Sequence, residues 1–332
     1  MRPVLFLIPK FSLTVYLVLL GAEFLLFSML FFLLRKRYDE VKKLKSDLAG
    51  YFIFFLVIIT LLFFFGPFPV RTYGVAVAIG FLFAIMVASR LAGKINVSSS
   101  PIFDMGIYIL AGVIAGSRIF YVIFYDWSYF IENPLRLFAI WEGGLVFYGG
   151  LLGGILCGVY YIRKAGLDIL KIADVVGVAL GVGYFFGRLG CLGYGCCYGK
   201  TAPDSFPFRI HFPAIGSPLT GYTPAFADHL EQGLVTVHSG HSLFVYPVQI
   251  MESLSGLFLF LLLLFLYQKR KFNGQIAAFF LLFYSVLRFA IEFLRTEPVF
   301  LGITTSQWIG VLVFLSGLFL YKWARKKNLS GA

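Results

Sequence analysis

Charge is scarce in this sequence. Only 13% of its 332 residues are Asp, Glu, Lys or Arg, about half the quarter that a soluble domain carries. That shortage excludes an ordinary soluble enzyme. With 60% hydrophobic residues, the chain is equally far from a disordered one. Acidic residues are the rarer sign, 16 against 28 Lys and Arg, which leaves a net charge of +12. A nucleic-acid partner would need those basic residues gathered on one exposed face; here they form short clusters between apolar runs, so no nucleic acid is expected. Cysteine is also sparse, and four in a chain this long do not make a disulfide framework. Phe (40) and Tyr (19) are abundant. This is the composition of a polytopic membrane protein.

A bilayer span takes about 20 predominantly apolar residues. That length predicts helices near 11–34, 50–66, 73–92, 105–125, 142–162, 172–190, 248–267, 275–293 and 306–323. The first run is too long for a signal-peptide core and lacks a small-residue cleavage pattern, so it reads as a retained anchor. The second ends at Gly66-Pro67 and is short for a full crossing. The positive-inside rule tests the alternation. With the Arg35–Lys45 cluster placed inside, the inner segments hold 18 basic residues and the outer ones 7. The expected topology is nine crossings, with the N-terminus outside and the C-terminus cytoplasmic.

One outer segment, 199–246, is long and carries Pro203, Pro207, Pro213, Pro218 and Pro224. No helix period shows there. It reads as a folded arm of irregular and strand-like pieces, either closing over a site or merely connecting two spans. The other loops are too short for a soluble catalytic domain, so chemistry must lie in the membrane or at its outer face.

A charge within a span costs about 2.5–3.5 kcal/mol on insertion scales and usually faces the protein interior. Glu23, Arg118, Asp174, Arg188, Glu252, Arg288 and Glu292 meet that description, with Arg295 at a helix end. Glu23, in the peripheral first span, is better read as structural or interfacial. Tyr284, Arg288, Glu292 and Arg295 are spaced by four, four and three residues. They fall within an arc of about 80° and form a polar stripe about 16 Å long. Helix-to-helix ion pairs would explain one such charge; a Tyr-Arg-Glu-Arg stripe points to function.

Three glycine-rich or polar segments accompany the stripe. Gly187-Arg188-Leu189-Gly190-Cys191 runs on to Cys196-Cys197-Tyr198-Gly199-Lys200, where glycines allow the backbone to leave helical geometry and meet a ligand closely. It resembles a phosphate-binding P-loop, but the glycine spacing is wrong and no strand precedes it. The C-x4-C-C cysteines lack a His at ligand spacing, so disulfide bonding or packing is favoured over zinc. No metal and no cofactor is expected. Next, Gly143-Gly144 open a segment in which Tyr148-Gly149-Gly150 and Gly153-Gly154 suit close helix approach. Third, Tyr246-Pro247 starts a helix that aims Gln249 and Glu252 into the bundle. Arg recognises phosphate in a bidentate manner, so an anionic lipid head group is the natural ligand; a diffusible nucleotide is less so.

Together these segments resemble the prolipoprotein diacylglyceryl transferase family of bacterial inner membranes. The resemblance runs from about Pro69 to Trp323. It rests on Arg71-Thr72-Tyr73-Gly74, Gly112-x3-Gly116-x-Arg118-x2-Tyr121-Val122, the paired Gly-Gly-Leu segment, Gly187-Arg188-Leu189-Gly190, Pro247-x-Gln249-x2-Glu252 and the Tyr284 to Arg295 stripe. It implies an all-α polytopic membrane protein, a seven-helix transferase core plus two extra N-terminal helices and an outer-face arm. The implied domains are an extension at 1–66, a core at 67–325 that includes the arm, and a cytoplasmic tail at 326–332.

The resemblance also implies a reaction. A diacylglyceryl group moves from phosphatidylglycerol to the lipobox cysteine thiol of a preprolipoprotein, whose signal peptide is the protein partner, with membrane lipid all around. Arg188 and Arg288 would then serve the head group, oriented by Glu252 and Glu292, with Tyr148 and Tyr284 completing the catalytic set. Arg118, Gly143, Gly144, Asp174, Gly187, Gly190, Gln249 and Arg295 would bind substrate. The chain departs from the family pattern at Tyr148, where the family has His, and in its Cys-rich signature loop. Phenol, with a pKa of about 10, is a poor base near neutral pH, so a carboxylate takes the proton or the reaction has diverged. A related lipid-modifying transferase with another acceptor and an anionic-solute transporter are the competing readings. The transporter lacks the internal repeat common in that class.

Overall fold

The structure, a computed structural model, describes residues 4–8, 68–138, 143–217, 221–296 and 299–330. The spans expected at 11–34 and 50–66, with Glu23 and nearly all of the 1–66 extension, lie outside the described residues, as do Trp141 and Glu142.

Each of the seven spans expected after Pro67 coincides with a helix. In chain order the helices are α1 (Thr72–Gly93), α2 (Ser99–Tyr125), the short α3 (Trp127–Glu132), α4 (Phe147–Lys164), α5 (Ile169–Tyr194), the short α6 (Pro224–Glu231), α7 (Val248–Gln268), α8 (Gln275–Glu292) and α9 (Thr305–Ser330). Six of them, α1, α2, α5, α7, α8 and α9, are long and apolar enough to cross a bilayer. Five glycines and the terminal Arg163-Lys164 pair make α4 less apolar. Large apolar side chains such as Leu82, Ile107, Phe124, Phe258 and Phe319 point outward, a surface suited to hydrocarbon rather than water. The protein is a multi-pass, all-α membrane protein.

Lipid tails are as apolar as leucine, so helices in a bilayer gain contact through close backbone approach rather than hydrophobic collapse. The glycines show this. A Cβ at Gly112 or Gly116 of α2 would collide with the carbonyls of Gly153 and Gly149 on α4. A Cβ at Gly256 of α7 would lie 2.6 Å from the Phe185 nitrogen on α5. Half of the most apolar window of α5 is buried, against 33% or less for the other candidate spans, so α5 is the central helix. Its Ile172, Val175 and Val178 pack with Leu263 and Tyr267 of α7 and Ile276 of α8.

The described residues fall into two compact units. The larger comprises 76–138, 143–192, 196–211, 243–296 and 299–330; the smaller comprises 4–8, 68–75, 193–195, 212–217 and 221–242. In the smaller unit, β1 (Val4–Ile8) pairs antiparallel with β2 (Phe68–Arg71), and β3 (Ile215–Ser217) with β4 (Gly221–Tyr222). Helix α6, unseen in the sequence, follows Thr223 with Pro224 at its start. Its eight residues make barely two turns, too few to display a period. Phe212 and Phe226 are fully buried in this unit, with His229 beside the apolar set.

Candidate active site

Three neighbouring helices bring one end each together in the larger unit: the C-terminal ends of α5 and α8 and the N-terminal end of α7, which runs opposite to both. Glu252, in the second turn of α7 and fully buried, stands between two guanidinium groups. Arg188 Nη1 of α5 lies 3.1 Å from its Oε2, and Arg288 Nη1 of α8 lies 3.5 Å from its Oε1. Arg288 also pairs with Glu292 one turn further along α8, and Arg295 Nε is 3.9 Å from the same carboxylate. Arg295 sits past the end of α8, its N–H bonded to the Glu292 carbonyl at 2.9 Å. The stripe read from the spacing is therefore an ion-pair chain that crosses from one helix to two others.

Smaller residues hold this chain in place. Thr304 donates its hydroxyl to Glu292 Oε1 at 3.2 Å and is itself gripped by Gln307, whose Oε1 accepts the Thr304 N–H at 2.9 Å. Arg188 lies over the ring of Tyr184, 5.3 Å from its centroid, and Tyr184 meets Tyr284 edge to face, with centroids 5.3 Å apart. Tyr148, exposed at the start of α4, is close enough to Tyr284 for the two phenols to interact electrostatically. Thr304, Gln307 and Tyr184 were not singled out in the sequence. Tyr184 had a signal, since it lies one turn before Arg188; Thr304 and Gln307 had none.

The charges do not cancel. Among the described residues, three arginines face two glutamates in a largely buried cluster, one guanidinium group more than carboxylates. The glutamates are sealed, at 0% side-chain exposure, while Arg188, Arg288 and Arg295 keep 19, 10 and 14%. The accessible face of the cluster is thus cationic.

The signature segment borders it. The helix expected to end near 190 runs on to Tyr194, and the turn comes at Gly195, with φ +87°. Gly190 is buried in the helix, and Gly187 has open space where a Cβ would go. Beyond the turn, the Cys196 N–H reaches back to the Cys191 carbonyl at 3.2 Å, and the Lys200 N–H bonds the Leu294 carbonyl at 2.7 Å. Gln249 donates its side-chain N–H to the Cys196 carbonyl at 2.8 Å, which ties the first turn of α7 to the loop. All four cysteines are free thiols in the structure.

Four expected site residues lie elsewhere. Asp174 is fully buried near the other end of α5, where its oxygens accept the N–H groups of Gly274, Ile276 and Ala277 at 2.9, 2.8 and 3.0 Å. It caps α8, with Arg270 Nε 3.8 Å away. Arg118 donates to the carbonyls of Leu137 (3.0 Å), Arg136 (2.6 Å) and Gly143 (2.7 Å), and more weakly to Gly144 (3.4 Å). It pins the segment before α4 rather than joining the cluster. Gly143 and Gly144, with φ of +91° and +68°, belong to that pinned segment.

A family model described as prolipoprotein diacylglyceryl transferase matches residues 60–323. The chain belongs to this family. It is similar to the phosphatidylglycerol–prolipoprotein diacylglyceryl transferase of Burkholderia pseudomallei (strain 668), with 34% identity over 79% of this chain and 93% of that protein. Proteins of the same name from Burkholderia mallei (strain SAVP1) and Burkholderia thailandensis are 33% identical over the same shares. The transferase family match takes in the whole ion-pair chain, from Arg188 to Gln307.

Proposed function

We propose that the protein transfers the diacylglyceryl group of phosphatidylglycerol to the lipobox cysteine thiol of preprolipoproteins, in the inner membrane of a bacterium. The single observation that carries this reading is the convergence of Arg188, Arg288 and Arg295 on two buried glutamates, a surplus of one guanidinium group among the described residues. A phosphodiester carries one negative charge, which that surplus complements. A cationic cluster on an apolar bundle selects a lipid phosphate over a soluble one.

The chemistry follows from the geometry. When the lipid phosphate enters, the guanidinium groups turn part of their hydrogen bonding to its oxygens, and Glu252 loses part of its pairing. Its carboxylate then takes the proton of the acceptor thiol. The sulfur forms a bond to the glycerol carbon of the diacylglyceryl group, and that carbon's bond to the phosphate oxygen breaks. The electron pair leaves with glycerol phosphate, where the fixed arginine donors stabilise the growing charge. Tyr284 and Tyr148 line the approach, Gln249 holds the loop against α7, and Glu292 with Thr304 keeps Arg288 and Arg295 aimed.

The distribution of basic residues supports an outward N-terminus and a cytoplasmic C-terminus, which puts the cluster at the outer leaflet. In this reading residues 1–66 form an extension ahead of a core at 67–325, and 326–332 a cytoplasmic tail. The test is direct. Purified protein in detergent should move a labelled diacylglyceryl group from phosphatidylglycerol to a lipobox peptide and release glycerol phosphate. Folded protein that transfers nothing would refute the reading.

A further inference from the structure

The transferase reaction makes no use of the three cysteines of the signature segment, yet the fold collects them. Cys191 lies in the last turn of α5, and Cys196 and Cys197 follow the Gly195 turn. Their sulfurs all lie within 4.8 Å of one another. We propose that Cys191, Cys196 and Cys197 form a binding site for one soft, thiophilic cation, copper(I) being the ion that fits its three-sulfur donor set.

The geometry supports this. A first-row d10 cation bound at about 2.3 Å to each of three sulfurs holds them about 3.8–4.0 Å apart. The sulfurs already lie within 4.8 Å of one another, close to that range. The backbone is already committed. Cys197 has φ +58°, a conformation that a side-chain-bearing residue seldom adopts, and the Cys196 N–H to Cys191 carbonyl bond closes the turn from Cys191 to Cys196. Gln249 locks that loop from outside through the Cys196 carbonyl, the kind of supporting contact that fixes the ligands of a metal site. Cys191 is buried, and the other two are partly accessible, so an ion has a way in.

The donor set selects the ion. Thiolates favour soft cations. Among the described residues, no His or carboxylate joins the three sulfurs in the group. Copper(I) is satisfied by three sulfurs, whereas zinc(II) seeks a fourth ligand. Binding forms three metal–sulfur bonds and releases the thiol protons to solvent; no electron is transferred.

The test uses the full-length protein, purified and reduced without oxygen, and titrated with copper(I) against a competing chelator. One ion per chain should bind, with a three-sulfur shell in X-ray absorption. Copper(I) should also protect Cys191, Cys196 and Cys197 from alkylation while Cys157, outside the group, keeps its rate. This readout needs no variant. Cys197→Ser should weaken binding by more than about 100-fold, with an unchanged elution profile showing that it folds. Equal alkylation rates with and without copper(I), a shell without three sulfurs, or wild-type affinity in Cys197→Ser would overturn the proposal. Tighter binding of zinc(II) than of copper(I) would overturn the choice of ion.

Discussion

Arg118 and Arg288 are both buried arginines on apolar helices of the same family core, and their surroundings differ in kind. Arg118 faces carbonyl oxygens of residues 136, 137, 143 and 144, which are neutral acceptors that the fold supplies. Aromatic rings close around it, with Phe130 5.1 Å and Tyr121 5.7 Å from its guanidinium carbon. Arg288 faces carboxylates on two helices, in a group where, among the described residues, guanidinium groups outnumber carboxylates. A guanidinium satisfied by carbonyls is a clamp. One that shares its carboxylates with other guanidinium groups suits the anion-binding role proposed for Arg288. Intramembrane charge alone therefore does not mark a site; the sum of charge around it does.

Substitutions can break this contrast at its strongest point first. Glu252→Gln keeps the shape and removes the charge between two guanidinium groups. If Glu252 accepts the thiol proton, kcat for diacylglyceryl transfer should fall by about 10²–10⁴-fold, measured with phosphatidylglycerol and a lipobox peptide. A loss confined to KM would mean that Glu252 only positions the arginines. Next, Arg288→Ala should lower kcat by about 10²–10³-fold, the usual effect of losing one donor to a developing oxyanion. Arg118→Ala should spare more of the activity and instead speed hydrogen exchange over residues 134–138 and 143–146. Equal kinetic losses in the two variants would erase the distinction drawn between them.

Asp174 extends the contrast to a carboxylate. Asp174→Ala leaves three backbone N–H groups at the start of α8 without their acceptor and should destabilise the protein by about 1–3 kcal/mol. Thermal unfolding in detergent measures this, and transfer per folded molecule should stay close to wild type. A large loss of turnover without a loss of stability would return Asp174 to the site. The smallest effect concerns the other compact unit. Burial pushes the His229 imidazole below its ordinary value of about 6.5. Its unfolded state then binds the proton more readily, so the unit keeps its full stability above about pH 6.5 and loses it as pH falls through and below that value. Hydrogen exchange over residues 221–242 should quicken between pH 7.5 and 5.5, and His229→Phe should flatten that response.

Much of the molecule could be read from residue order. Each of the seven spans expected after Pro67 matches its helix to within three residues at its start or its end, although Ser99–Tyr125 begins six residues before the expected start. Helix α4 starts five residues late, since Gly143 and Gly144 take positive φ. The Arg-Glu-Arg stripe was legible because positions four apart share a helical face. The role of Asp174 was not, because its partners lie about a hundred residues away and are backbone N–H groups, which leave no trace in side-chain pattern. The partners of Arg118 could not be read for the same reason, as they are backbone carbonyls. The cysteines were set aside because the spacing C-x4-C-C does not tell where the sulfurs point.

Sequence alone determined that this chain lies in a membrane, where its helices run and which family it belongs to, because apolar length and ordered motifs are local properties. Tertiary structure decided which buried charges act together. In a low-dielectric interior the balance of an ion cluster depends on distances of three to four ångströms between different helices, and no spacing along one chain segment encodes those.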